Sequence, residues 1–441
     1  MMQQIAGFPY MEIEFTRDGQ VHDQQQVVET LAFVDQGNVT DLLVISHGWN
    51  NDMAEAGDLY RAFLDRSRGF LDADVLPGLS TRVFGVIAVL WPSKKFADQE
   101  LIPSGAAAMG SVVTDTALRK QIDDLKGVFS QPGADAALEK AKQLISRLQD
   151  SPQARGQFVE LLRSVVPRGS ADAEDASERF FKIDGAELLN RLRPPFLTPG
   201  RPGGSTGGQA SSIGNPSGSA AGFELSFSGF KAAARRLLNY VTYYQMKDRA
   251  GTVGRDGLNP VLRQIRARRP GLKLHLIGHS FGGRLVIAAA VGLPGQPPVG
   301  VNTITLLQAA FSHNGFARQY DGVNDGFFRR LVTEKMVSGS VLISHTENDK
   351  AVGVAYPIAS HIAGQAAANL GDKNDLFGGI GRNGAQKTPE AIDGSLLQVG
   401  SAYAFQPGNL YNLEATAFIK DHGDVTGGEI VFASLTAMSQ A

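Results

Sequence analysis

The rhythm of apolar positions changes near residue 95 and again near residue 225. Before residue 95, short apolar runs alternate with turns. Residues 11–15 (Met-Glu-Ile-Glu-Phe) alternate apolar and polar side chains, which predicts a half-buried strand. Residues 42–45 and 83–91 are unbroken apolar runs, the pattern of strands buried on both faces. Helical spacing fills the stretch between them, about 53–67. From 95 to 198 the period is helical at 114–129, 134–149, 153–166 and 186–192, and no strand pattern occurs. A Gly/Ser/Pro-rich tract follows. It has almost no apolar side chains, cannot offset its own ordering entropy, and reads as a flexible linker over 199–224.

From about 225 the two rhythms alternate. Helices are expected at 230–244, 258–269, 281–291 and 428–437, and strands at 272–277, 301–307, 341–344 and 410–419. Strands separated by helical stretches predict βαβ units and a mainly parallel sheet. The expected organisation is an α/β core made of 1–94 and 225–441, interrupted by a helical cap or lid at 95–198 and the linker.

Composition narrows the chemistry. The 441 residues include no cysteine, which removes disulfides, thiol nucleophiles and thiolate metal sites. A net charge of -2 gives no pull toward nucleic acid or an anionic membrane. The N-terminus has neither a basic nor an apolar signal region, and no apolar run approaches the roughly 20 residues of an integral membrane segment. The expectation is a cytoplasmic protein, with signal-independent export left open.

Gly278-His279-Ser280-Phe281-Gly282-Gly283 contains the pattern G-x-S-x-G. The bare pattern is weak in a chain with 51 glycines, and it recurs at Gly203-Gly204-Ser205-Thr206-Gly207. Context separates the two. A nucleophilic serine of this kind needs a strand before it and a helix after it, and only Ser280 has both. Side chains at Gly278, Gly282 or Gly283 would collide with neighbouring backbone at so tight a turn.

Acyl transfer also needs two N–H donors aimed at the developing oxyanion. The backbone N–H of Phe281 is one candidate. The other lies in His47-Gly48-Trp49-Asn50, after the strand 42–45, at Trp49 or Asn50. The serine further needs a base, and the chain has eight histidines. His422 follows the last expected strand and is the first choice, with His313 and His361 behind it. An acid should follow an intervening strand. Asp349 is preferred over Glu347, both lying just past 341–344.

Together the HGWN loop, the Ser280 elbow, Asp349 and His422 resemble the α/β-hydrolase superfamily on its esterase/lipase side, over about 1–94 and 225–441. The resemblance implies a mostly parallel sheet with helices on both faces. It implies ester cleavage through an acyl-enzyme, with a small-molecule or acyl-ester substrate, and neither metal nor organic cofactor. It also implies that His47 and Gly48 order their loop rather than react. An amidase, peptidase or thioesterase with the same triad, and a non-catalytic binding protein on the same fold, remain alternatives. The natural substrate and the oligomeric state stay open.

Overall fold

The computed structural model describes all residues except 1–2, 37, 50–52, 77, 94–112, 170–173, 195–228, 350–357, 360–361 and 363–372. By its internal contacts the chain divides into two units: Met1–Lys94, Met246–Val352 and Gly379–Ala441 form one, Lys95–Gln245 and Gly353–Gly378 the other. The sequence pattern groups 225–245 and 353–378 with the strands; the described residues among them fall in the second unit.

The first unit carries nine strands: β1 (Gln3–Ile5), β2 (Phe8–Glu14), β3 (Asp41–Ser46), β4 (Phe84–Leu90), β5 (Lys273–His279), β6 (Thr303–Leu307), β7 (Val341–His345), β8 (Ala391–Ser395) and β9 (Leu410–Glu414). They form one sheet in the order β1-β2-β4-β3-β5-β6-β7-β9-β8. Only β1 with β2 is antiparallel; the other pairings run parallel. The chain is therefore an α/β protein with a mixed, mostly parallel sheet. Both alternating sets of β3, Leu42 and Val44 on one side and Leu43 and Ile45 on the other, are buried, so helices cover the sheet on both faces. Helices Met53–Asp72 and Gly428–Ser439 share an apolar cluster with Leu43, Ile45, Val86, Ala88, Ile277 and Leu342. Helix Phe281–Val291, outside that cluster, packs against β3, β5 and β6.

This strand order contains a switch. From β3 the chain moves to β4 on one side, and from β5 to β6 on the other, while β3 and β5 are neighbours. In open parallel sheets the crevice beyond the strand ends at such a point is where ligands bind.

The opposite end of the same strands holds a buried polar cluster. The His275 Nε2–H donates to Asp41 Oδ1 (2.8 Å), and its Nδ1 accepts from Thr303 Oγ1 (2.8 Å). Arg82 binds both Asp41 oxygens and also donates to the Met438 carbonyl (2.8 Å). Asp41 is fully buried, so each lone pair needs these partners.

The second unit is helical among its described residues: Asp115–Asp124, Ala134–Leu144, Pro152–Ser164, Ser177–Lys182, Gly185–Arg191 and the start of Phe230–Thr252. Thr114 Oγ1 accepts from Ala117 N (3.2 Å), and Ser151 Oγ from Ala154 N (3.1 Å) with Pro152 in the first turn, ordinary N-terminal signals. Leu118, Ile122, Leu138, Phe158, Leu162, Phe180 and Leu188 form its apolar interior. No helix among the described residues is long and apolar enough to cross a membrane. The linker 199–224 lies outside the described residues.

Several boundaries differ from the pattern. The helix expected over 114–129 stops at Asp124, just before Gly127 turns left-handed (φ 74°). The strand expected over 410–419 stops at Glu414, because the N–H groups of Phe418 and Ile419 turn back to Ala415 O (2.9 and 2.8 Å). The break expected between 244 and 258 is closed by a wide helical turn, Val253–Leu258, that joins Phe230–Thr252 to Asn259–Arg268.

Burial, the largest single influence on Asp41, raises its pKa. The hydrogen bonds from His275 and Arg82, then Thr40, outweigh it and hold the carboxyl at about 2, below its usual 3.8. A group depressed in this way adds stability above its unfolded pKa and loses it as pH falls toward the folded value. Asp41→Asn should therefore cost about 3–5 kcal/mol at neutral pH, since Arg82 loses its buried partner. It should also flatten the loss of stability between pH 4 and 2. Urea unfolding at several pH values checks both; an unchanged midpoint would contradict the role.

Candidate functional site

Ser280 sits between β5 and helix Phe281–Val291, at the sheet end where the strand order switches. Its backbone is left-handed, with φ 55° and ψ −125°. A non-glycine residue there costs on the order of 1–3 kcal/mol unless its surroundings force it. They do: Ser280 N donates to Leu307 O (3.0 Å), while its carbonyl accepts from Gly283 N (3.0 Å) and Ala310 N (2.9 Å). The side chain is free of this lattice and makes no capping bond to the helix.

Glycines make the crossing physically possible. A Cβ on Gly48 would lie 2.5 Å from Ser280 Cβ, so the backbone of the HGWN loop is pressed against the serine. A Cβ on Gly282 would lie 2.4 Å from the carbonyl oxygens of Ser46 and His47. Gly278 and Gly283 are crowded in the same way, by Gly282 and by Ala309.

His47 is buried and holds its loop. Its Nδ1–H donates to Gly48 O (2.9 Å), and Nε2 accepts from Trp91 N (3.3 Å). Its ring stacks on Trp91 at 5.6 Å, and its backbone N–H donates to the Tyr60 hydroxyl (2.7 Å). Burial pushes its pKa down to about 4, so the ring is neutral. Trp49 lies tilted against Phe281, ring centroids 6.1 Å apart. Among the described residues nothing accepts from its buried indole Nε1 or engages its backbone N–H. Asn50 and His361 lie outside the described residues.

Asp349 and His422 meet. Asp349, fully buried after β7, accepts from the His422 Nδ1–H at its Oδ2 (2.8 Å). A carboxylate only accepts, so the proton is on Nδ1 and His422 Nε2 carries the lone pair. Glu347 is exposed and takes no part. The His422 side chain is 24% exposed. Burial, the largest influence, pushes its pKa down, but the charge and hydrogen bond of Asp349, helped by Asp421, outweigh it and leave the imidazole above its ordinary value. His313 is buried elsewhere, its Nδ1 accepting from the Asn383 amide (3.2 Å).

His422 in turn lies against the residue before the serine. The His279 Nε2–H donates to His422 O (2.8 Å), and the two rings sit 4.9 Å apart. No hydrogen bond joins Ser280 Oγ to His422 among the described residues.

The side chains that brace these loops have no signature in the sequence. Asn348 Nδ2 donates to Thr416 O (3.2 Å) and Ile419 O (2.8 Å), tying the turn before Asp349 to the segment before His422. Arg382 donates to Glu347 O (2.7 Å) and Asp349 O (3.3 Å). Both residues act on backbone far away in sequence, and no spacing rule reaches that far. No grouping of three or more acidic or histidine side chains suited to a metal ion occurs among the described residues.

No protein-family model, curated protein or solved structure matches the chain.

Replacing Asp349 by Asn removes the main influence that opposes burial at His422. Its imidazole pKa should then fall below that of the wild type, as NMR titration of histidine-labelled protein would record. An unmoved titration would show that the carboxylate does not govern this ring.

Proposed function

We propose that the chain is a serine hydrolase of the α/β-hydrolase type that cleaves a carboxylic ester through an acyl-enzyme. One observation carries the reading: a serine in strained left-handed backbone at a strand–helix turn, beside a loop whose histidine is bonded to a buried carboxylate. The parallel sheet, with its strand order switching beside Ser280, supports the same fold family.

In the proposed reaction Ser280 Oγ attacks the ester carbonyl carbon while His422 Nε2 takes the hydroxyl proton. The oxyanion accepts from the backbone N–H of Phe281 and of Trp49 or Asn50. Asp349 fixes the tautomer and stabilises the imidazolium. His422 returns the proton to the departing alkoxide, which leaves as the alcohol. Water, deprotonated by His422, then attacks the acyl carbon; the bond to Ser280 Oγ breaks, Oγ takes the proton back from His422, and the acid is released. The missing Ser280–His422 hydrogen bond fits this scheme, because such contacts are often loose before substrate arrives. Trp49, half-buried and packed on the buried ring of Phe281, offers apolar surface in the loop beside the serine, which suits an acyl chain.

Hydrolysis of p-nitrophenyl esters from acetate to palmitate tests the reading. Ser280→Ala should lose about 10⁴- to 10⁶-fold in kcat. Only neutral His422 can act as base, so kcat/KM should rise with pH through a value above the ordinary 6.5 of an imidazole. Equal turnover by wild type and Ser280→Ala would refute the nucleophile. Matched amides turned over as fast as esters would move the chain to the amidases, and thioesters to the thioesterases. Silence toward all of them, and toward a fluorophosphonate probe, would favour a binding protein.

A further inference from the structure

We propose that His279 is a positioning residue: its Nε2–H holds the backbone of His422 and so keeps the His422 imidazole on Asp349. The functional consequence rests on the hydrolase reading above, whereas the anchoring itself does not.

His279 is the last residue of β5, a strand paired on both sides within the sheet, so its ring starts from rigid backbone. Its Nε2–H donates to the carbonyl oxygen of His422 (2.8 Å). A carbonyl only accepts, which places the proton on Nε2 and the lone pair on Nδ1. That Nδ1 is buried and has no partner among the described residues. The ring's hydrogen bonding is therefore directed at His422 alone.

The turn that carries His422 makes this bond matter. Lys420 N donates to Asp424 Oδ2, Gly423 N and Asp424 N to Asp421 Oδ1, and Val425 N to Gly423 O, all within the turn itself. Among the described residues, 420–425 is tied to the rest of the chain by two hydrogen bonds, and both are at His422. One is the imidazole on Asp349, and the other is the carbonyl on His279. Val425, fully buried in the apolar cluster, holds the far end of the turn, so what the two bonds settle is the position of His422 within it. Two bonds, one to the ring and one to the backbone, fix it. Because His279 and Ser280 are consecutive, the same bond ties the base's backbone to the nucleophile's strand.

The charges around both rings are compatible with this role. His422 and His47 face His279, and burial, the dominant influence, holds its pKa at about 3. It thus stays a neutral donor and adds no positive charge beside His422. The groups that face His422 are Asp349, Asp421 and His279. Loss of the donor would let the ring relax from both burial and Asp349, and its raised pKa would fall toward the ordinary value.

Two full-length variants separate donor from bulk. His279→Gln keeps an N–H at a reach similar to Nε2, and His279→Phe keeps a ring without a donor. Thermal melting establishes that each folds; His279→Leu replaces the Phe variant if that one does not. NMR titration of His422 and ester kinetics are then measured side by side. In the Phe variant the His422 pKa should fall and kcat should drop about 100-fold with KM little changed, the scale of a misplacement near 1 Å. The Gln variant should stay close to wild type in both. A folded Phe variant with wild-type titration and kcat would overturn the proposal, as would a Gln variant as impaired as Phe. If the wild type hydrolyses nothing while the Phe variant still shifts the titration, the anchoring stands and the hydrolase reading falls.

Discussion

Backbone crowding at Ser280 is the constraint on which the rest of the candidate site depends. The residue is held in a left-handed conformation by three backbone hydrogen bonds, to Leu307, Gly283 and Ala310. Those bonds form only because β5, β6 and helix Phe281–Val291 meet at one point, and they meet because Gly278, Gly282 and Gly283 present no side chain. Gly48 extends the same packing to the HGWN loop. Strain of about 1–3 kcal/mol is sustained by a sheet that is buried on both faces. The outcome is a hydroxyl projected off a rigid turn, next to the loop from the neighbouring strand.

Parallel pairing does the remaining positioning. β3, β5, β7 and β9 end on the same side, so the loops after them gather at one end of the sheet. Asp349 and His422 are 73 residues apart, yet they meet because β7 and β9 are adjacent. The other end of the sheet offers an instructive contrast. There Asp41, His275 and Thr303 repeat the chemical types of an acid, a base and a hydroxyl, with similar 2.8 Å contacts. All three are buried, Arg82 neutralises the carboxylate, and Thr303 sits in regular strand. Residue types and burial alone therefore do not tell the two sets apart, since Ser280 and Asp349 are buried as well; the backbone strain at Ser280 and the 24% exposure of the His422 side chain do.

Much of this was legible in the chain because burial on both faces leaves an unbroken apolar run. The runs 42–45 and 83–91 became β3 and β4, and the strand–helix context picked out Ser280. The Asp349–His422 contact agreed with the order in which strands and loops follow one another. Weaker signals belong to elements stabilised by distant partners. β8 is mostly exposed and has no apolar pattern, so it exists by pairing with β9. β1 is three residues long. The 410–419 segment reads as one strand because its alternation of apolar and polar residues continues through a turn that only hydrogen bonding reveals. His279 read as a variable position of a motif, and its bond to His422, 143 residues away, has no local signature. The boundary between the two units, at Gln245 and Met246, falls inside one long helix, Phe230–Thr252, and periodicity does not mark a division within an element.

On the proposed reading Ser280 owes its reactivity to its strand–helix context and not to the motif, and the chain carries its own control in Ser205, which has the same G-x-S-x-G neighbours. The direct test is to treat the native protein and the urea-unfolded protein with a fluorophosphonate and to map the adducts by peptide mass spectrometry. That reading predicts an adduct on Ser280 in the native protein alone, with Ser205 unmodified in both. Modification of Ser205 at the rate of Ser280, or equal labelling of Ser280 before and after unfolding, would contradict it.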